Sequence, residues 1–311
     1  MILDILQIIF SADFFYASIR MTTPLLLAAM GGLLAERAGV LILSLEGMMV
    51  AGAFFGFYGG YITGSVWFGV LLAMIGGALI GLVYAIATVS FNANQVVAAV
   101  GVNMLAVGVT SVIFRGAFVG GAGQATGPQF LRYRLHFLSD IPIIGDLFFN
   151  HIPLVYLAAI VFVLVYLFFK YTDWGLKVKA VGEHPLACES VGISVTKVRY
   201  LTIIVCGLIA GIAGSTLSLG YLNRFVEGMV SGRGWIAFSA IILGGWQPVG
   251  TLIASFIFGA ANALQIRIQA YGLNIPFQFL LMLPYLVTLL SLFIIGKVHS
   301  PAAQGQPYSK E

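Results

Sequence analysis

Charge is what this sequence lacks most. Charged side chains make up 8% of the 311 residues, whereas 60% of the residues are hydrophobic. A soluble domain carries about 25% charged residues, because charge keeps its surface in water. The shortage excludes a soluble enzyme, a disordered chain and a nucleic-acid-binding protein, so nucleic acid is not an expected partner. The composition is that of a protein whose solvent is membrane lipid.

Cysteine and the motifs of catalysis are also scarce. Cys188 and Cys206 are the two cysteines, and the second lies inside a long apolar run, which predicts two free thiols rather than a disulfide framework. The sequence has no GxxxxGK[ST] motif, so we expect no nucleotide binding through a P-loop. The four histidines lack the spacing of metal ligands. We therefore expect no catalytic residue, no metal site and no cofactor in this chain.

Long apolar runs are what the chain has in abundance. Crossing a bilayer takes about 20 apolar residues, and lipid offers no hydrogen-bond partner to the backbone, so such runs form helices. The pattern predicts an all-α polytopic membrane protein with about 8–10 transmembrane helices, organised as a single transmembrane domain over residues 1–311. The runs lie at 17–35, 40–62, 66–90, 95–118, 152–170, 200–222, 229–268 and 276–296.

The first residues differ from these spans. One polar stripe follows an otherwise apolar helix pattern, formed by Asp4, Gln7 and Ser11. A narrow stripe of this kind favours an amphipathic helix over residues 1–16 that lies in the membrane interface. An additional crossing is the alternative.

The run 229–268 is too long for one span. It is interrupted by the sequence GGWQP at 244–248, where Pro248 cannot continue the hydrogen bonding of a helix. The interruption is either a tight turn between two spans or a break in a helix that lines a cavity. The sequence leaves both interpretations open.

Basic residues predict the orientation of the chain. Positive charge concentrates on the cytoplasmic side of membrane proteins, and the loop 171–199 holds Lys177, Lys179, Lys197 and Arg199. This loop is therefore predicted to be cytoplasmic. Counting spans outward then makes 119–151 an extracellular loop and places the chain after Gly296 on the cytoplasmic side.

The cytoplasmic loop has the pattern of two short helices. The first is predicted over residues 175–182 and ends at Gly182. The second begins at Pro185, which suits a first helical turn, and ends before Gly192. Such a loop is either an ordinary amphipathic connection or a rigid element that contacts a partner.

The motifs of the chain, taken together, resemble a known transporter family. The stretch GLKVKAVGEHPLACESVGI at 175–193 is similar to the coupling loop of permease subunits of bacterial ABC importers for branched-chain amino acids, simple sugars and nucleosides. Further stretches agree in kind and order: PLLLAAMG at 24–31, ERAG at 36–39, LEGMM at 45–49, NQVV at 94–97, VNMLAVG at 102–108, GRGWIA at 232–237 and LGGWQPVG at 243–250. The resemblance is greatest to the nucleoside-type permeases.

The resemblance implies a permease without its own motor, in the bacterial cytoplasmic membrane. It implies three partners besides lipid: a second permease subunit, which we expect to be a different chain, cytoplasmic ATPase subunits that use ATP and magnesium, and an extracellular binding protein or lipoprotein. Nucleosides are the expected solute, with ribose-like sugars or branched-chain amino acids as alternatives. An ion-coupled secondary transporter is the rival from another class. The residues implied to contact the ATPase are Gly182, Glu183, His184, Pro185, Ala187, Glu189, Ser190 and Gly192.

Polar side chains at lipid depth are candidates for the solute pathway, because burying them in lipid is unfavourable without a function. They are Glu46, Asn103, Gln247, Asn262 and Gln265. Glu46 is expected to face protein or water and to pair with Arg37 or a backbone amide, and Asn103 is expected to bond either the solute or a neighbouring helix. In the outer loop, Arg132 and Arg134 are candidates for docking the binding protein.

Overall fold

A computed structural model of the chain describes residues 11–118, 125–134, 150–270 and 299–308, together with positions 282 and 286. Within these residues the regular secondary structure is helical except for one pair of two-residue strands. The helices, in chain order, are α1 (Ala12–Arg37), α2 (Leu45–Thr63), α3 (Val66–Ala85), α4 (Gln95–Ala117), α5 (Pro153–Tyr171), α6 (Asp173–Glu183), α7 (Pro185–Ser190), α8 (Val195–Ser215), α9 (Arg233–Leu243) and α10 (Pro248–Ala270). Wider π-helical turns extend α3 over Ile86–Ser90 and α8 over Thr216–Leu222. The strands β1 (Tyr133–Arg134) and β2 (Asn150–His151) pair antiparallel.

Local sequence sets where the helices begin and end. The Asn94 side chain accepts hydrogen bonds from the amides of Val96 and Val97, 3.0 and 3.2 Å away, and so caps the start of α4. The Ser65 and Thr172 hydroxyls act in the same way at α3 and α6. At the other end of a helix, a glycine in the left-handed conformation stops α2: Gly64 has φ +68°.

The core is formed by α1, α2, α3 and α8, which pack against one another, while α10 covers α1. The α3 and α8 backbones approach so closely at Gly77 and Gly207 that neither position has room for a Cβ atom. Close approach at small residues replaces the hydrophobic driving force that is missing between helices in lipid. In contrast, α4 and α5 lie at the periphery, with most of their surface uncovered.

Six of the described helices are long and apolar enough to cross a membrane: α1, α3 with its π turn, α4, α5, α8 with its π turn, and α10. They correspond to six of the predicted runs. The run predicted over 276–296 lies outside the described residues. The end of the bundle that carries α6 and α7 is called the inner end below, and the end that carries β1 and β2 the outer end.

Two predicted boundaries are wrong. The helix α1 begins at Ala12, where the Ser11 hydroxyl accepts a hydrogen bond from the Phe14 amide at 3.2 Å, so residues 12–16 belong to the first membrane helix. Residues 1–10 of the predicted interfacial helix lie outside the described part of the chain. The second span begins at Leu45 rather than at residue 40, because Gly39 leaves α1 with φ +82° and the next residues are not helical.

The run 229–268 forms two helices joined by a turn that reverses the chain, and the first helix is shorter than a complete span. Its first part, α9, has 11 residues, a length of about 16 Å, whereas the hydrocarbon core of a bilayer is about 30 Å thick. A turn at 244–247 then leads into α10, and Trp246 in this turn has φ +52°. Gly244 packs directly against the backbone of Gly250 and Thr251. The helix α10 then runs back to the outer end, where Arg267 bonds Ser11 and Asp13. Of the two interpretations that the sequence leaves open, the structure has the tight turn, although the helix before it is shorter than a span.

Candidate functional site

Two non-helical segments enter the bundle from opposite ends. The first, 38–44, runs from the inner end into the bundle, and its Val40 and Ile42 side chains are fully buried. The second, 223–232, runs from the outer end into the bundle, and its Phe225 and Val230 side chains are buried. Irregular backbone at this depth occurs where it is surrounded by protein or lines a cavity. The segments meet where α2 and α9 begin.

Glu46 joins these two helix starts. One carboxylate oxygen accepts a hydrogen bond from the Gly232 amide and the other accepts one from the Gly234 amide, each at 2.8 Å. The first amides of a helix have no partner within it and carry partial positive charge, so they stabilise a carboxylate. The partner of Glu46 is thus a pair of backbone amides and not Arg37. Gly234 lies so close to the Glu46 backbone that a Cβ atom would clash there.

Asn103 fixes the segment that leads into α2. Its side-chain oxygen accepts a hydrogen bond from the Gly47 amide at 2.8 Å, and its side-chain nitrogen donates to the Leu43 carbonyl at 3.0 Å. Both ends of the amide therefore bond backbone rather than solvent. Of the two roles expected for Asn103, the structure has the bond to a neighbouring segment.

A cavity of about 150 Å³ lies beside Glu46. Its wall combines two acidic and three hydroxyl residues with apolar residues, and it is formed by Glu46, Val50, Val107, Thr110, Ser111, Phe225, Glu227, Gly228, Val230 and Ser231. A few convergent polar groups in an otherwise apolar wall are typical of small-molecule sites. The cavity thus offers hydrogen-bond acceptors and donors together with an aromatic face.

An ion pair lies at the outer side of this cavity. Glu227 accepts hydrogen bonds from two guanidinium nitrogens of Arg115, at 2.9 and 2.8 Å. The Arg115 bond holds the pKa of Glu227 below its usual range, so this carboxylate stays charged at neutral pH. The pair connects the last turn of α4 to the segment 223–232.

The inner end is held by a second buried carboxylate, that of Glu36. One of its oxygens accepts the Ile42 amide at 2.7 Å, and the other accepts the Trp246 indole N–H at 3.0 Å and the Gln304 side chain. The neighbouring Arg37 donates to the Trp246 carbonyl at 2.5 Å. In the sequence, Glu36 is the first residue of the ERAG stretch and stands near the end of an apolar span, and neither feature predicts these donors.

The loop 171–199 contains the two predicted helices, α6 and α7. The second matches in detail: Pro185 is its first residue, and Gly192 follows its end with φ +84°. The prediction that Gly182 ends the first helix is wrong, because α6 continues to Glu183. Gly182 instead lies against the Arg37 carbonyl oxygen, where a Cβ atom would clash, so it permits close packing of α6 on α1.

The side chains predicted to contact an ATPase divide into two groups. Glu183, His184, Ala187 and Ser190 are exposed, together with the large apolar side chains of Leu186 and Val191. Pro185 and Glu189 are half-buried, and the Glu189 carboxylate accepts the Val195 amide at 3.0 Å, which folds α7 back onto the start of α8. The loop therefore forms a compact element with an exposed apolar and polar surface.

Burial also affects titratable groups of this loop. Desolvation, and to a smaller extent repulsion by Arg37, lowers the pKa of Lys179, whose ammonium group donates to the Phe169 carbonyl at 2.9 Å. Burial raises the pKa of the Cys188 thiol, which faces the bundle. Cys188 and Cys206 are both free and buried.

Three candidates for the solute pathway lie away from the cavity beside Glu46. Gln247 is exposed in the turn at the inner end. Asn262 is half-buried in α10 and donates to the Phe258 carbonyl one turn earlier, at 3.2 Å. Gln265 is half-buried on the same helix. Among the five candidates, Glu46 is the one that the cavity wall contains.

At the outer end, Arg132 is exposed and its guanidinium lies 5.5 Å from the centre of the Tyr16 ring. It borders a polar cavity of about 280 Å³, to which Arg20 and His151 also contribute. Arg134 is the second residue of β1 and pairs with Asn150. The remaining outer residues, 119–124 and 135–149, lie outside the described part of the chain.

A helical membrane bundle in which non-helical segments border a cavity with a few polar groups, with a compact helical loop at one end, is the arrangement expected of a membrane permease. Residues 14–295 match the family described as "Branched-chain amino acid transport system / permease component". The match covers most of the chain, and the protein belongs to this family. It is a multi-pass membrane protein and the permease subunit of an ABC transporter, and is not itself an enzyme.

Relatives with assigned functions are similar over nearly the whole chain. The guanosine ABC transporter permease protein NupQ of Bacillus subtilis is 37% identical, over 99% of this chain and 98% of the relative. The nucleoside ABC transporter permease protein NupC of Lactococcus lactis is 32% identical over 99% of both. Among solved structures, PsaBC of Streptococcus pneumoniae in complex with Fab matches with a TM-score of 0.51 and 16% identity, over 97% of this chain and 98% of that chain. The last likeness concerns the fold alone.

Proposed function

We propose that this chain is the membrane-spanning subunit of an ATP-driven ABC importer that translocates nucleosides across the bacterial cytoplasmic membrane. The observation that carries the proposal is the similarity over 99% of the chain to permeases named for guanosine and for nucleosides. The cavity beside Glu46 supports it chemically. A carboxylate accepts hydrogen bonds from ribose hydroxyls. The hydroxyls of Thr110 and Ser231 donate to the Ala106 and Gly228 carbonyls and keep a free acceptor lone pair, and the Ser111 hydroxyl also lines the cavity.

The cavity within one chain is smaller than a nucleoside site requires. Small-molecule pockets have volumes of about 300–1,000 Å³, twice or more the 150 Å³ beside Glu46. The α4 helix, which forms one wall, exposes an apolar surface where a Cβ atom added at Gly101 or Gly108 would meet no atom of another described segment within 4 Å. We propose that a second permease subunit, a different chain, packs on this surface and completes the pathway.

The loop 171–199 is the proposed contact with the ATPase. Its α7 helix exposes Leu186, and the residue after the helix exposes Val191, each 73% accessible, on a short element held by Gly192 and Glu189. Apolar side chains on a rigid element at the cytoplasmic side suit insertion into a groove of a partner. The partner ATPase would use ATP and magnesium, and we propose that this chain needs no cofactor of its own.

At the outer end, we propose that a binding protein or lipoprotein delivers the nucleoside. Arg132 and Arg20 border the same polar cavity, so this surface is suited to acidic side chains of a binding protein. Arg134 remains a candidate for the same contact. Substituting these arginines by glutamine should reduce uptake at low concentrations of the loaded binding protein and leave uptake at saturation unchanged.

Competitive uptake tests the proposed function. Cells with and without this chain take up labelled guanosine or uridine in the presence of excess unlabelled nucleoside, ribose or leucine. We expect uptake to be lost with the chain, to require the ATPase and to resist a protonophore. Uptake that a protonophore abolishes and that survives loss of the ATPase would identify a secondary transporter, and competition by ribose or leucine alone would identify another solute.

A matched pair of variants tests the role of the loop. Gly192 and Gly64 both have positive φ angles, +84° and +68°, and both have open space around the Cβ position. Valine is strained to a similar degree at either position, but Gly192 lies at the inner end and Gly64 at the outer end. We expect Gly192→Val to reduce ATP-driven uptake more than Gly64→Val at equal amounts of assembled protein. Equal uptake by the two variants would contradict the proposed ATPase contact.

A further inference from the structure

Three distant parts of the chain meet at one carboxylate at the inner end. Glu36 is fully buried, and its oxygens accept hydrogen bonds from the amide of Ile42 at 2.7 Å, from the indole of Trp246 at 3.0 Å and from the side chain of Gln304. These donors belong to the segment that leads into α2, to the turn between α9 and α10, and to the segment 299–308. Hydrogen bonds to a charged group are roughly twice as strong as bonds between neutral groups.

The loop proposed to contact the ATPase is attached at the same place. The Gly182 carbonyl accepts the Ala303 amide at 2.9 Å, and the Glu183 carboxylate accepts the Ala302 amide at 3.3 Å. The segment 299–308 therefore contacts α6 through its backbone and Glu36 through Gln304. On the other side of α6, Gly182 lies directly against the Arg37 carbonyl.

The segment 299–308 is also tied to α8. The Arg199 guanidinium donates to the Gln306 carbonyl at 3.1 Å and is only 2% exposed, and the Gly305 amide donates to the Gly39 carbonyl at 3.2 Å. These bonds hold the segment in one position against α1 and α8. When α6 moves, the segment 299–308 therefore has to move with it together with the parts of α1 and α8 that it is bonded to.

The helix α9 connects this group to the cavity. Its inner end continues into the turn where the Trp246 side chain bonds Glu36 and the Trp246 carbonyl bonds Arg37. Its outer end is held at Gly232 and Gly234 by Glu46, which lines the cavity. With 11 residues, α9 is about 16 Å long, so one short helix has a carboxylate at each end, fully buried at Glu36 and half-buried at Glu46.

We propose that Glu36 is a positioning residue that transmits displacement of α6 and α7 through Trp246 to α9, and so to the cavity beside Glu46. The inference rests on the proposed function, in which α7 contacts the ATPase. Packed elements that are joined by short hydrogen bonds move together, and a small shift at one end is amplified because the bonded arrangement is kept or broken as a whole. The segment 299–308 secures α6 to this connection.

The test removes one bond with little change in packing. Trp246→Phe deletes the indole N–H that Glu36 accepts, and Gln304→Ala deletes the second donor to the same oxygen. Trp67→Phe is the matched control, because Trp67 is 57% exposed at the outer end and contacts the Phe130 ring. Each variant is assembled with its partner permease, ATPase and binding protein in proteoliposomes, and nucleoside uptake and ATP hydrolysis are measured in the same preparation.

We expect Trp246→Phe to keep the basal ATP hydrolysis of the wild type and to lower the number of nucleosides transported per ATP about fivefold or more, the lower end of typical coupling between sites. The double variant with Gln304→Ala should lose less than the product of the single losses, because both changes act through one carboxylate. A purely structural role would reduce the amount of assembled protein and leave the transport ratio unchanged.

The outcomes separate this inference from the proposed function. If wild-type proteoliposomes show no ATP-dependent nucleoside uptake, the proposed function is wrong. If the wild type transports and Trp246→Phe keeps the transport ratio of Trp67→Phe, the role of Glu36 is refuted. If Trp246→Phe does not assemble, Gln304→Ala takes its place in the test, because Gln304 is half-buried and lies outside the helical bundle. A transport ratio of Gln304→Ala equal to that of Trp67→Phe would then refute the role of Glu36.

Discussion

The attachment of α9 at Glu46 gives a quantitative prediction for Glu46→Gln. Glutamine keeps one acceptor oxygen for the Gly232 or Gly234 amide but places an NH2 donor against the other. A hydrogen bond to a charged group contributes about 1.5–3 kcal/mol, and a negative charge at a helix N-terminus contributes about 0.3–1 kcal/mol. We therefore expect the variant to weaken the attachment by about 2–3 kcal/mol.

Hydrogen exchange measures this loss where it occurs. At 1.4 kcal/mol per factor of ten, the local opening equilibrium should rise about 30- to 150-fold, and the amides of residues 228–236 should exchange faster by that factor. The amides of α5, which is remote from Glu46, provide the internal standard. Asp13→Asn is the control variant, because the Asp13 carboxylate is 84% exposed and pairs with Arg267 at the outer end.

The result that would refute the reasoning is specific. If residues 228–236 exchange in Glu46→Gln as they do in Asp13→Asn, the two amide bonds do not hold α9 in place. If exchange accelerates equally in all helices, Glu46 stabilises the whole bundle rather than one attachment. In either case, α9 would not serve as the connection between Glu36 and the cavity.

Three further predictions concern packing and titration. Gly182→Ala should prevent assembly of the native bundle, because its methyl group would clash with the Arg37 carbonyl and a backbone atom cannot move aside as a side chain does. The measurement is size-exclusion chromatography, in which the monodisperse peak should be lost. Normal elution would contradict the close approach of Gly182 and Arg37. Gly101→Ala adds a methyl group that no other described segment contacts, so it should stabilise α4 by about 0.5–1 kcal/mol. Because the second permease subunit is proposed to pack there, the same change should weaken the isolated permease pair. An unchanged dissociation constant of the pair would exclude this surface as the contact. Cys188 should react slowly with maleimide at neutral pH, because burial raises its thiol pKa. A thiol pKa that is higher in the folded than in the unfolded protein stabilises the fold below the usual cysteine pKa. This stabilisation is lost as the pH rises through the thiol pKa of the folded protein. Labelling of Cys188 should therefore accelerate at alkaline pH by more than labelling of an exposed cysteine does.

Local patterns in the sequence predicted the elements that depend on local chemistry. The apolar runs identified the six long membrane helices, because lipid excludes unpaired backbone groups wherever the chain crosses it. Pro185 and Gly192 predicted the bounds of α7, since a proline suits a first helical turn and a glycine adopts a positive φ at little cost. The break before Pro248 follows from the same kind of reasoning.

Contacts between distant residues were beyond the same reasoning. Gly182 has the same local appearance as Gly192, but α6 continues through it, because its role is to let Arg37 approach. The partners of Glu46 lie 186 and 188 positions further along the chain. The ERAG stretch at 36–39 did not reveal the role of Glu36, because its three donors come from separate segments that only the folded bundle brings together.

The sequence by itself determined that this protein is a helical membrane protein, because the scarcity of charge and the length of the apolar runs leave few other ways to satisfy the backbone in lipid. It also determined the family, since the loop 171–199 and the other motifs occur in a specific order. Only the tertiary structure decided that α9 is a short helix held by a carboxylate at each end. The reason is physical: a buried carboxylate is stabilised by whichever backbone and side-chain donors surround it, and packing alone decides which donors those are.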